Sequence, residues 1–230
     1  MRRSLILLSA ICLVLAGVTS GSVKKGDLEI EVLGGLAMES GAGEGDDQAS
    51  ILAGETGADL DGWFGSVGIG YFTSRNFEIG IAGFGSWLDG SETPSYVINP
   101  AFPNTLASYD IDIDTTVYGG GGRVKWHFSP GKSLVPYVGA NVSWATADVD
   151  ISGTARMVSD GEIVPDSEAN ISESDSASGI LWGPIVGLRL QLARRMEVLL
   201  EYQYHMWSGD ISDLVDDGHA ISAGLCLRLK

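Results

Sequence analysis

An eight-stranded antiparallel up-and-down transmembrane β-barrel is the all-β fold class that the sequence predicts, on three observations. Eight segments alternate apolar with small or polar residues at period 2, the mark of strands with two unlike faces. The connections between them run long, short, long, short, so all long loops fall at one end of such a barrel. Aromatic residues on the charge-free faces gather at two levels with aliphatic residues between them, the pattern that a bilayer selects.

Residues 1–22 read as a signal peptide and residues 23–230 as the barrel domain. Met1-Arg-Arg-Ser, the apolar run Leu5 to Val18 and the small residues Thr19-Ser-Gly-Ser22 are the three regions of a secretory leader. The run is shorter than the about 20 residues a spanning helix needs. Ile11 stands where a lipoprotein site has a small residue, so Cys12 is no lipid anchor. Removal of the leader leaves Cys226 as the one cysteine, which excludes an intramolecular disulfide framework. Formal net charge is −16, and losing Arg2 and Arg3 makes it more negative by two. Bulk charge of that sign excludes nucleic acid as a partner and argues against anionic lipid. Thirty-two glycines, 19% charged residues and no later apolar run of spanning length exclude a helical membrane protein and an ordinary soluble enzyme.

The first strand is expected over residues 28–38, with Leu28, Ile30, Val32, Leu36 and Met38 opposite Glu29, Glu31, Leu33 and Gly35. Residues 39–60, rich in Gly, Ala, Glu and Asp, read as a long loop. Residues 61–90 form a hairpin about the turn Thr73-Ser-Arg-Asn76. One face carries Trp63, Val67, Ile69, Tyr71, Phe77, Ile79, Ile81 and Trp87, and the other Ser66, Gly68, Gly70, Glu78, Gly80, Ala82 and Ser86 with Phe64, Phe72 and Phe84. The eight residues from Trp63 to Tyr71, at ~3.3 Å each and tilted by about 40°, cover roughly 20 Å of height, close to the apolar band of a membrane barrel. Residues 89–112, with Pro94, Pro100 and Pro103, read as a second loop.

The fourth strand is expected over residues 114–128, setting Tyr118, Val124, Trp126 and Phe128 against Arg123, Lys125 and His127. The glycines 119–122 mark a bend or a close backbone approach. After a short connection, residues 135–149 alternate Val138, Ala140, Val142 and Trp144 with Tyr137, Gly139, Asn141 and Ser143. Residues 150–178 read as a long acidic loop whose composition cannot bury a core. The last three strands run over residues 179–192, with the tight turn Ala193-Arg-Arg195 after them, then 197–207, then 221–229 beyond an acidic loop at 208–218. Their inward sets include Arg189, Glu197, Glu201, Gln203, His205, Trp207, Ser222, Cys226 and Arg228.

The apolar faces belong outside. A soluble barrel has to crowd Trp63, Trp87, Trp126, Trp144, Trp182 and their tyrosine neighbours into a lumen that eight strands leave too narrow. Inverted, the glycine-rich face fills the lumen, where the acids Glu29, Glu31, Glu78, Glu197 and Glu201 meet the bases Arg123, Lys125, Arg189 and Arg228, as burial requires. Closure also leaves no open edge in lipid.

Gly70-Tyr-Phe-Thr-Ser-Arg-Asn-Phe-Glu-Ile-Gly80 around its turn, Lys132-Ser-Leu-Val-Pro-Tyr-Val-Gly-Ala140 and the closing alternation Ile221 to Leu229 resemble the small eight-stranded outer-membrane β-barrel family, the OmpA-like and opacity-protein-like barrels of Gram-negative envelopes. The likeness covers the whole mature chain and marks architecture more than activity. The chain departs from it by ending Leu229-Lys230, where such barrels end on an aromatic residue. The resemblance implies a cell outer-membrane location, outer-membrane lipid and lipopolysaccharide around the barrel, the barrel assembly machinery as partner and a monomeric state.

No catalytic, cofactor-binding or metal residues are expected. His127 and His205 read as lumen histidines in a polar network rather than metal ligands. His219 and Ser222 are three residues apart and point to opposite faces, a poor base and nucleophile. The rim acids Asp110, Asp112, Asp114, Asp148, Asp150, Asp210, Asp213, Asp216 and Asp217 lack calcium-loop spacing and read as a solvated surface. The function expected is display of long acidic loops for envelope structure, adhesion or defence toward a surface ligand or host factor. The alternatives are a narrow cation-preferring pore and, behind it, a lipid-modifying barrel enzyme.

Overall fold

The computed structural model describes residues 24–41, 59–92, 95–97, 105–128 and 133–229. The proposed leader and the connections at 42–58, 98–104 and 129–132 lie outside the described residues. Eight long strands make the wall: β1 (Leu28–Gly41), β2 (Asp59–Phe72), β3 (Phe77–Glu92), β5 (Thr105–His127), β6 (Leu134–Ser159), β8 (Ala169–Ala193), β9 (Met196–Gly209) and β10 (Val215–Leu229). Two short strands, β4 (Ser95–Val97) and β7 (Glu162–Ile163), pair with β5 and β6 outside the ring. Each long strand pairs antiparallel with its neighbours, and β1 with β10 closes the circle. Closure satisfies the backbone without water, the condition for strands in lipid.

The alternation sorts residues as expected. Trp63, Val67 and Ile81 are 69%, 57% and 66% exposed, while Phe72, Glu29 and Lys125 on the opposite faces are at most 1% exposed. Trp63 pairs with Trp87 on one side of the apolar band, and the Phe77 and Trp126 rings meet at 6.3 Å on the other. The turn 73–76 is built by Ser74, whose Oγ accepts from the N–H groups of Asn76 and Phe77 at 3.3 and 3.1 Å. Asn76 Nδ2 donates to the His127 carbonyl at 2.8 Å and ties this turn to β5.

Three expected loops are corrected. β3 continues to Glu92 and β5 begins at Thr105, so 89–92 and 105–112 are strand rather than loop. The acidic stretch 150–178 is the far half of a hairpin: β6 reaches Ser159, β8 starts at Ala169, and they pair from Ala155 with Ala169 down to Leu134 with Leu190. Its side chains do bury apolar surface, since Ile151 joins the buried cluster that holds Ile111 and Ile113 of β5, and Ala177 packs against that cluster. The segment 208–218 holds a 3-10 turn, Asp210–Asp213, which drops Ile211 into the same cluster before β10 begins. Low hydropathy hid these strands because one apolar residue in two, or fewer, suffices when β5, β6 and β8 share a sheet.

Neighbouring backbones crowd where glycines face inward. A Cβ on Gly183 runs into the Tyr204 carbonyl of β9, whereas one on the lipid-facing Gly65 comes no nearer than 3.9 Å, to the Leu33 carbonyl. Gly183→Ala is expected to destabilise the barrel by about 1–3 kcal/mol and Gly65→Ala to leave it unchanged, read by urea titration of heat-modifiable gel mobility.

Candidate functional site

The lumen is filled in two layers. In the half next to the short turns, β1 contributes Glu29 and Glu31, β3 Glu78, β5 Arg123, Lys125 and His127, β8 Arg189, β9 Glu197 and Glu201, and β10 Arg228. None of them is more than 7% exposed. Period-2 alternation aims them all inward, and antiparallel pairing brings strands distant in sequence to one height.

Their geometry is a continuous ion-pair network. Glu31 meets Arg123 at 2.5 Å and Lys125 at 3.0 Å, and Lys125 reaches on to Glu201 at 2.8 Å. Glu201 also accepts from the Tyr137 hydroxyl at 2.8 Å and from Gln203 Nε2 at 2.7 Å. Arg189 binds Glu29, touches Glu197 through Nε at 2.9 Å, and donates to Cys226 Sγ at 3.3 Å. Arg228 binds Glu197, and His127 Nε2 lies 2.8 Å from Glu78. Lys125 stands 4.9 Å from the Tyr137 ring centre and Arg189 is 5.5 Å from that of Phe72, so rings complete the cages around these cations. All the lumen acids and bases singled out from the sequence meet here. Tyr137 and Phe72 were on the right face, but nothing in their spacing marked them as partners of Glu201 and Arg189.

The outer layer was not foreseen. Leu60, Phe64, Leu88, Ile111, Ile113, Val117, Val149, Ile151, Leu181 and Trp207 form an apolar plug, completed by Ile211 and Val215. Between the layers an enclosed cavity of about 20 Å³, lined by Phe64, Arg123, Asn141 and Gln203 among others, holds no more than a water molecule or so.

His127 faces a carboxylate, while His219 points outward and Ser222 inward, so these two do not converge. Glu29, Glu31 and Cys226 bring ligand atoms within 4.8 Å of one another, but Arg189 already bonds to Glu29 and Cys226 there. Outside the membrane band, Asp61, Asp89, Asp114 and Asp150 sit directly opposite one another on four consecutive wall strands. The carboxyl of Asp114 is held above its ordinary value by partial loss of solvation and by Asp89 beside it.

A closed antiparallel ring with apolar side chains outside and a charge network inside defines a transmembrane β-barrel. The chain belongs to the outer membrane protein beta-barrel domain family, whose model matches residues 10–228, and its place is the cell outer membrane. Among solved structures it is similar to Neisserial surface protein A, at 13% identity and a TM-score of 0.49, covering 88% of this chain and 97% of that one. It is also similar to OprG from Pseudomonas aeruginosa, at 11% identity, a TM-score of 0.48 and coverage of 93% and 99%. A third likeness is to the attachment invasion locus protein Ail of Yersinia pestis, at 13% identity, a TM-score of 0.42 and coverage of 89% and 99%. No curated protein matches the chain.

Proposed function

We propose that this outer-membrane barrel is a closed, non-enzymatic anchor that holds an acidic β-structured projection at the cell surface, in envelope structure, adhesion or defence. The observation that carries the reading is the doubled plug. Paired acids and bases fill the half of the lumen next to the short turns, and an apolar layer fills the other half. Display is supported by the strands β5, β6 and β8, which run on past the level of Trp87 and Trp144, and by the aspartates that β5 and β6 carry on their outer face, Asp110, Asp112, Asp114 and Asp150. Like charges directly opposite in a sheet cost stability. Their presence in register across four strands fits a surface selected for contact with a cationic ligand or host factor. The barrel assembly machinery and lipopolysaccharide are its proposed partners in the envelope.

Planar-bilayer recording on the purified protein tests the reading. A silent bilayer at 100 mV is expected, both for the wild type and for Glu201→Gln. Steady cation-selective current that Glu201→Gln abolishes establishes the pore instead.

A further inference from the structure

The exposed charge of this barrel is separated by end. At the end of the short turns, the exposed side chains include Lys24, Lys25, Arg75, Arg194 and Arg195. Among the described residues of that rim the surface acid is Asp27, half-buried, which accepts from the Lys24 backbone N–H at 2.9 Å and lies 4.0 Å from Arg228. Glu78 and Glu197 are near in sequence but turned into the lumen, where bases bind them. At the opposite rim the outward positions Asp61, Asp89, Asp110, Asp112, Asp114 and Asp150 are exposed acids, with Arg156 as a half-buried base further out. The negative net charge of the whole chain therefore hides a strongly basic collar.

Turn chemistry does not ask for these bases. At the 193–196 turn the Ala193 carbonyl accepts from Gln191 Nε2 at 3.2 Å and the Arg195 carbonyl from the Arg228 N–H of β10 at 2.8 Å, and both turn guanidinium groups are left exposed. Their height is set by the wall. Tyr71, Phe77, Trp126 and Phe128 form the aromatic level of this end, and such rings settle at the headgroup region. Arg75 lies two residues beyond Phe77, and Lys24 and Lys25 lie beside the end of β2, where the Gly26 N–H donates to the Phe72 carbonyl at 2.8 Å. The collar is thus held where lipid phosphates lie.

We propose that this collar binds the headgroups of anionic phospholipids in the inner, periplasmic leaflet, and so fixes the depth of the barrel from that side. Guanidinium groups suit the task because they fork onto phosphate oxygens. Clustered bases at a membrane surface act additively, each worth about fivefold in affinity for an anionic surface. The acidic rim repels the same lipids, so the preference is confined to one end.

The test is native mass spectrometry of the full mature protein released from micelles holding equal phosphatidylglycerol and phosphatidylcholine. The wild type is expected to retain phosphatidylglycerol at least about tenfold over phosphatidylcholine, and 0.5 M salt to erase that excess. Arg194→Gln/Arg195→Gln is expected to cut the ratio by about fivefold or more, and Arg156→Gln on the far side to leave it unchanged. Heat-modifiable mobility checks that each variant is folded, and Arg194→Lys/Arg195→Lys restores most of the ratio if charge is the cause. A wild-type ratio near one, or a ratio untouched by the double glutamine change, overturns the proposal. Neither result bears on whether the lumen conducts.

Discussion

Arg189→Met is expected to lower stability by about 3–5 kcal/mol, seen as a lower urea midpoint for the loss of compact gel mobility. Arg189 is 2% exposed and is the hub that holds Glu29 and Glu197, with Glu31 and Glu78 each at 3.7 Å. Removing it leaves like-charged carboxylates together and buried in the lumen, whereas deleting an exposed pair costs a fraction of a kilocalorie. Arg189→Met combined with Glu29→Leu is expected to recover part of the loss, because neutralising both members of a buried pair costs less than orphaning one. A wild-type midpoint for the single variant removes the network from any role in stability.

Ile81→Arg is expected to cost about 2–4 kcal/mol in a folding titration into lipid vesicles, whereas Asp89→Arg on the same strand costs about 1 kcal/mol or less. Ile81 is 66% exposed, opposite Ile69 and Gly122 near the middle of the apolar band. A guanidinium there has no water. Asp89 lies beyond Trp87, at the rim, opposite Asp61 and Asp114, so a base in its place relieves repulsion. In detergent-free buffer, equal tolerance at both positions reverses the placement of the two faces.

The two expectations differ in what they test. Arg189 probes an arrangement that exists only when β1, β8, β9 and β10 are assembled, while Ile81 probes a face that each strand already announces. That difference also separates what was legible in the residues from what was not. Glu29, Glu31, Arg123, Lys125 and Arg228 were recognisable as lumen residues because each sits one position from an apolar neighbour in an alternating run. Tyr137 was sorted onto the same face, but its hydrogen bond to Glu201 spans 64 residues and carries no local signature.

Alternation, the placement of the rings and the long and short connections, all of them properties of residues within one or two strands of each other, were enough to determine the barrel, its strand faces and its two rims. Tertiary structure alone decided which acid meets which base, since Glu31 and Lys125 are 94 residues apart and Arg189 and Glu29 are 160 apart. It also decided that most of residues 150–178, up to Ser159 and again from Ala169, is strand. Read by themselves, Ser172, Glu173, Ser174 and Asp175 promise solvent. Ladder bonds to β6 need no hydropathy, and Ile151 beneath them finds its apolar neighbours on β5, so pairing with distant strands supplied the stability that local composition lacks.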